Sequence, residues 1–450
     1  MKRLNSLMVL LVAMFVFLTI AGCSGGDEES NAGSGDGGDG TNDGEVVTIK
    51  WYNWDNDVMG ATTQKYIEEF EKENPNIKVE SVPLVPGDSL ASLQNLDILL
   101  SSGEEVDVIS FPNADSLYQR AELGALASLN DFYEEEGIDP TEVYYVNPSV
   151  GDDYYGIQFN ATTNFVLLNK DALDEAGLEV PKIGWTWDDF AEYAEKLTVE
   201  KDGKKMHGAY FHSWSLYMNP IAQTLMKHPF LFEDGTTNFS DPSFKKMFEM
   251  RKELEEKGYA KSYSDVLGAE LGYRSEFFNE SAAMLLTGSW MIGEAGDTEI
   301  NPHDFTTAFA PVPVLNEGDE FAAFMGGNFL AIGNSSTKKE ESYKFARFVS
   351  ENLSEGRVEL PGLKQGDARP VVERIIEGNE ELIDVESLMY TLFDEEVNYL
   401  DASQVSIGYG RELESILSDG FAKYMLNDES IDEVIDWMIE EATKVIDKNS

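Results

Sequence analysis

Apolar residues recur along this chain in two alternating rhythms. Residues 46–52 (VVTIKWY) are β-branched and aromatic and predict a strand. Residues 62–72 place Tyr66, Ile67 and Phe70 at helical spacing, and Asn74-Pro75 stops that helix. Residues 77–82 read as a second strand, 90–100 as a helix, and 106–111 as a buried third strand. Strand and helix in strict alternation predict an α/β fold with a parallel, doubly wound sheet. Solutes of such sheets bind beyond the carboxyl ends of the strands. Here those positions are Asn53-Trp54-Asp55-Asn56-Asp57 and Pro112-Asn113-Ala114-Asp115.

The same logic returns further along. Residues 163–169 are apolar and strand-like. Thr186 and Asp189 have the spacing of a capping box, and Trp187, Phe190, Ala191, Ala194 and Leu197 follow on one helical face. Trp187 is thereby a packing residue rather than a solute platform. Residues 283–286, 306–311 and 329–332 read as short strands. Ile431, Val434, Ile435, Met438, Ala442 and Val445 make an amphipathic helix near the end.

The first residues do not belong to this pattern. Lys2 and Arg3 precede an apolar run over 7–20, and Ala21, Gly22 and Cys23 follow. The run is short for a membrane span and fits a signal peptide over 1–22. Ile20-Ala21-Gly22-Cys23 resembles a bacterial lipobox, which implies lipidation of Cys23. Cys23 is the only cysteine, so no intrachain disulfide can form. Residues 23–45 are rich in Gly, Ser, Asp and Asn, without aromatic or basic side chains, and predict a disordered acidic tether. Its reach as a coil is roughly 25 Å. Gly33, Gly35 and Gly38 have G-x-G-x-x-G spacing, but no strand precedes them and Asp36 and Asp39 would repel a phosphate.

Composition then narrows the partners. About 400 residues beyond the tether, with a 42% apolar share, suffice for two lobes. A net charge of -51 opposes nucleic acid and anionic membrane surfaces, and disfavours phosphorylated solutes. Such acidity suits a saline or alkaline habitat. The four histidines form no metal-ligand spacing, and residues 55–66 fail as an EF-hand at Met59 and Tyr66. Gly87-Asp88-Ser89-Leu90 spells an esterase motif, but no histidine has Asp three residues before it. No metal, cofactor or catalytic group is expected.

Blocks in a fixed order resemble the extracellular solute-binding proteins of carbohydrate-importing ABC systems, the group that includes maltodextrin-binding proteins. They are Tyr66 to Val79, Asp107 to Phe111 with Gly124 to Leu129, Leu168 to Leu173 with Gly184 to Phe190, Phe278 to Trp290, and Gly326 to Ile332 with 338–349. The resemblance implies a two-lobed periplasmic-binding-protein-like fold, each lobe a doubly wound sheet flanked by helices. Lobe one would take residues 46–158 and 308–355, and lobe two 159–307 and 356–450. It implies a monomer that is not an enzyme, held by its lipid at the outer face of the cell membrane. That monomer would capture a carbohydrate by hinge closure and pass it to the ABC permease. A surface carbohydrate-degrading or sensory protein, or a binder of a polyol or osmolyte, stays open beside this.

Sugar recognition needs planar polar partners for hydroxyls and aromatic faces for C–H surfaces. Asn53, Trp54 and Asp55 have that character beyond the first strand. The resemblance adds Asp115, Asn160, Trp290, and an aromatic pair, Trp214 and Tyr217. Asn328 follows Gly326-Gly327, where missing side chains allow close approach. Tyr409 between Gly408 and Gly410 is a rim aromatic, and Arg369 is a donor either to hydroxyls or to an internal salt bridge.

Overall fold

The computed structural model describes residues 46–201, 203–218, 228–357, 359–364, 368–427 and 429–449. The predicted signal peptide, Cys23 and the acidic tether lie outside the described residues. In chain order the first strands are β1 (Val47–Asn53), β2 (Ile77–Pro83) and β3 (Val108–Phe111), then a hairpin of β4 (Ser149–Val150) and β5 (Asp153–Tyr154). Next come β6 (Ile157–Thr162), β7 (Asn164–Asn169), β8 (Val199–Lys201) and β9 (Lys204–Tyr210). The last are β10 (Ala282–Gly288), β11 (Thr307–Ala310), β12 (Ala323–Ile332) and β13 (Tyr399–Asp401).

The first sheet runs β13-β12-β3-β1-β2, with β6 also on β12. β1 is parallel to β2 and β3, through Ile49 against Val79 and Trp51 against Val108. Parallel neighbours need crossover helices. Asp57–Glu73 is one, started by Asn56 Oδ1 accepting from the Val58 and Met59 amides. Ser89–Ser102 is the other, ended by Gly103 at φ 77°. Helix Lys339–Arg357 closes the outer face. Its Phe345 packs edge-on against Trp51 and Phe70, with ring centroids 5.4 and 5.1 Å apart.

The second sheet runs β11-β7-β10-β9-β8. β10 is parallel to β9 but antiparallel to β7, and β11 is antiparallel to β7. The predicted capping box is formed: Thr186 Oγ1 accepts from the Asp189 amide, and Asp189 Oδ2 accepts from the Thr186 amide. Trp187 is fully buried.

The chain passes between the sheets several times. Only Thr163 separates β6 from β7. Residues 311–322 lead from β11 back to β12, and the stretch after Arg357 leads out to helix Arg369–Ile376. β13 then lies parallel to Ala323–Met325 of β12, so a strand from the stretch expected in lobe two extends the first sheet. β11, placed by sequence at the start of the return to lobe one, pairs within the second sheet. The final helices, Gly410–Leu426 and Ile431–Asn449, pack on one another through Phe421, Val434 and Met438, in a core shared with Phe244 and Phe248.

Candidate functional site: the cleft between the sheets

The β6–β7 joint brings two strand edges face to face. Thr162 pairs with Gly326 in the first sheet, and Asn164 pairs with Gly288 in the second. Between them the Ser289 amide donates to Thr163 O at 2.9 Å. The carboxyl end of β10 therefore meets the joint, and Trp290 follows two residues later. A Cβ at Gly288 would lie 2.2 Å from the Trp290 ring, so only glycine lets the indole fold back over the strand end. Trp290 is partly exposed.

β9 ends alongside, and the chain beyond it carries His212 and Trp214. Trp214 is 38% exposed, high for so large an apolar side chain. Its ring meets His212, Tyr273 and Trp290 edge-on, at centroid distances of 4.8, 5.2 and 6.4 Å. Arg274 lies over Tyr273, and its guanidinium donates twice to Glu294, at 2.5 and 2.6 Å. Burial, helped by the Arg274 cation, lowers the His212 pKa and keeps the imidazole neutral. This forms an aromatic wall with one open indole face.

The opposite wall comes from the first sheet. Asn113 caps helix Ala114–Glu122 by accepting from the Ser116 amide at 2.8 Å, and this puts Asp115 in the first turn. Asp115 is exposed to water, with the Ser406 hydroxyl and the Glu414 carboxylate nearby. Desolvation pushes its pKa up to about 6, against the pull of the Ser406 hydroxyl and with further upward push from the Glu414 carboxylate. Glu414 stands on helix Gly410–Leu426 and accepts a hydrogen bond from Ser215, the neighbour of Trp214. Glu414 thus stands near Asp115 and is bonded to the residue beside Trp214. Gln119 Nε2 donates to Gly408 O at 3.2 Å, and Tyr409 lies partly exposed at this rim.

The floor joins three passes of the chain. Asn160 on β6 donates through Nδ2 to Asn328 Oδ1 at 2.9 Å and to Glu359 Oε2 at 2.7 Å. Asn160 Oδ1 accepts from the Asn328 amide at 2.7 Å, and Asn328 Nδ2 donates to Pro112 O at 3.0 Å.

The structure therefore brings Asp115, Trp214, Trp290, Asn328 and Tyr409 together, while Asn160 is buried beneath Asn328 with its side-chain amide bonded to Asn328 and Glu359. The other expected residues do not join them. Asp55 is buried, with its carboxylate bonded to Arg357 Nη2 and to Thr63 Oγ1, each at 2.6 Å. Asn53 is buried too; its Nδ2 donates to Ser81 Oγ and Trp51 O, and its Oδ1 accepts from the Asp55 amide. Trp54 is partly exposed and lines a small, partly open pocket with Tyr52, Leu84 and Leu93. Tyr217, expected as a second platform, is fully buried behind Trp214. Arg369 Nη2 donates to Phe393 O at 3.0 Å, and its guanidinium covers the Phe393 ring. Sequence reasoning missed Glu359, Glu414, Ser406 and Tyr273. None lies at a strand end that periodicity could mark.

Residues 53–352 match the family of bacterial extracellular solute-binding proteins. The multiple sugar-binding protein of Streptococcus mutans is 25% identical over 327 residues, covering 68% of this chain and 71% of the relative. The sn-glycerol-3-phosphate-binding periplasmic protein of Escherichia coli K12 is 25% identical over 339 residues, covering 69% of this chain and 72% of the relative. An ABC substrate-binding protein of Listeria monocytogenes, solved in complex with cycloalternan, shares the fold with a TM-score of 0.71 at 23% identity, covering 89% of this chain and 99% of that one. Maltose-bound MalE3 of T. maritima gives 0.70 at 18% identity, covering 89% and 100%. With a family match over well more than half its length, the chain belongs to the bacterial extracellular solute-binding proteins.

Proposed function

We propose that this chain is the capture component of an ABC importer for a carbohydrate, binding it without chemical change. The observation that carries the reading is the open Trp214 face beside Trp290, held next to Asp115 and Glu414. Aromatic faces pack against sugar C–H surfaces, and carboxylates accept from sugar hydroxyls. The sugar-binding relatives favour the same class, as does the acidity of the chain, which works against the phosphate of the glycerol-phosphate binder. A solute touching both walls favours the closed form by its additional contacts there. Closed lobes then present a joint surface to the permease. Lipidated Cys23 would hold the protein at the outer membrane face.

A panel of oligosaccharides, polyols and betaines in thermal-shift and calorimetric titrations tests this reading, because a ligand of the folded form raises the midpoint by mass action. Failure of every saccharide sinks the carbohydrate assignment. One observation favours a hydrolase instead: two neighbouring carboxylates, one with a raised pKa, are the equipment of glycosidases. Chromatography of the bound sugar after long incubation decides, since a binder returns it intact.

The Asp115 carboxyl also sets a pH dependence. In the free protein its pKa lies at about 6, and hydroxyl donors bind its ionised form better. Affinity is expected to hold above about pH 7 and to fall by about tenfold per unit well below pH 6. Asp115→Asn should remove that step. A flat wild-type profile from pH 5 to 8 would take Asp115 off the solute.

A further inference from the structure

Glu359 stands where the chain leaves the first lobe for the second time, on the stretch between helices Lys339–Arg357 and Arg369–Ile376. Its Oε2 accepts from Asn160 Nδ2 at 2.7 Å, and its Oε1 accepts from no described residue. The residue is partly exposed, at the same floor as Asn160 and Asn328. Both Asn160 Nδ2 hydrogens are committed, one to Asn328 and one to Glu359. The network thus holds a surplus of acceptors at its solvent-facing end.

The charges agree with the hydrogen bonds. Arg357 is the cation near Glu359, but its Nη2 donates to Asp55 Oδ1 at 2.6 Å and to Thr63 Oγ1 at 2.7 Å. One buried cation therefore serves two carboxylates, and it is paired with Asp55. Burial pushes the Glu359 carboxyl up, while Arg357 and the Asn160 hydrogen bond pull it down and Asp55 pushes it further up. A partly exposed carboxylate with one oxygen not taken by the protein can accept a hydrogen from a solute in place of water.

We propose that Glu359 is a specificity-determining residue of the cleft, accepting a hydroxyl or ammonium hydrogen of the solute on Oε1 and rejecting solutes that bring an anion to the floor. This rests on the cleft being the solute site, and it narrows the class to neutral or amine-bearing polyhydroxy compounds. A uronic acid or phosphate ester would set its anion against Glu359, with Asp115 and Glu414 nearby and Arg357 buried and paired with Asp55, only its Nε lacking a partner among the described residues.

The test uses matched sets of ligands: a neutral oligosaccharide, its amino-sugar and its uronic-acid counterparts, and a polyol with amine and carboxylate analogues. Calorimetric affinities at pH 7.5 are measured for the wild type and Glu359→Gln. Glutamine retains the shape and can still accept from Asn160, but it lacks the charge. The wild type should bind neutral and amine forms and exclude the acids. In Glu359→Gln the amine-to-acid affinity ratio should fall about tenfold or more, with the thermal midpoint unchanged or raised. Glu359→Asp, which keeps the charge, should retain the preference and so guards against a glutamine variant that fails to fold. An unchanged ratio in Glu359→Gln makes Glu359 a hinge brace and overturns the inference. Binding of polyols alone, with the Glu359-dependent ratio intact, overturns the carbohydrate reading but not this one. Binding of no member of the panel overturns both.

Discussion

Replacing Arg357 by methionine is expected to lower the unfolding free energy by about 3–5 kcal/mol, the usual result of removing one partner from a buried ion pair. The Arg357 and Asp55 side chains are only 6% and 2% exposed. Asp55 would be left as a buried anion with Thr63 as its remaining donor, and Glu359 would lose its nearby cation. Asp55 sits just past β1, and Arg357 ends helix Lys339–Arg357, so the pair also pins a strand end to the helix on the outer face. Urea unfolding with the variant, Asp55→Asn and the double variant would measure the coupling. The double variant should recover much of the loss, because no buried charge then stands alone. A loss below about 1 kcal/mol would show that the pair behaves like a solvated surface bridge. Burial shields the pair from salt, unlike the many carboxylates on the surface.

Trp214→Ala is expected to weaken solute binding by about 2 kcal/mol, roughly thirtyfold, as for a central aromatic anchor. Its ring offers the most exposed large apolar face at the cleft, and Tyr273 and His212 hold it edge-on from behind. Tyr217 lies underneath and is fully buried, so truncating Tyr217 should lower stability more than affinity. Trp290→Ala should also lose affinity, by removing both a cleft surface and the edge contact to Trp214. Calorimetry on Trp214→Ala with its fold checked by circular dichroism decides. Unchanged affinity would place the solute away from this wall.

The parts of this design visible in the sequence are those with local causes. β1, β2, β3 and the second helix follow from β-branched runs, a helical period and caps, and lie within two residues of where the pattern puts them, whereas the first helix begins at Asp57, five residues before its apolar spacing shows it. β12 was legible only at its buried end, 329–332. It extends back to Ala323, but Gly326 and Gly327 weaken the strand signal there. At Gly327 the reason is tertiary, since a Cβ would lie 2.1 Å from Asn160 O. The site divides the same way. Asp115 is readable because it lies just past a strand end, and Trp290 because Gly288-Ser289-Trp290 matches the family pattern. Periodicity does not say which way a residue past a strand end will turn, and Asp55 turned inward to an arginine 302 residues away. Glu359 and Glu414 reach the cleft only because later passes of the chain fold back across it, and nothing in their own neighbourhood announces that.

The exposure of Trp214 also gives the molecule an optical signal of its own. Trp51, Trp185 and Trp187 are buried, so their emission is insulated from events in the cleft. Trp214 is in contact with water at the wall where a solute would lie, and its indole emission depends on how much water remains there. Occupancy of the cleft would register as a change in colour of the native protein, without any dye or label attached.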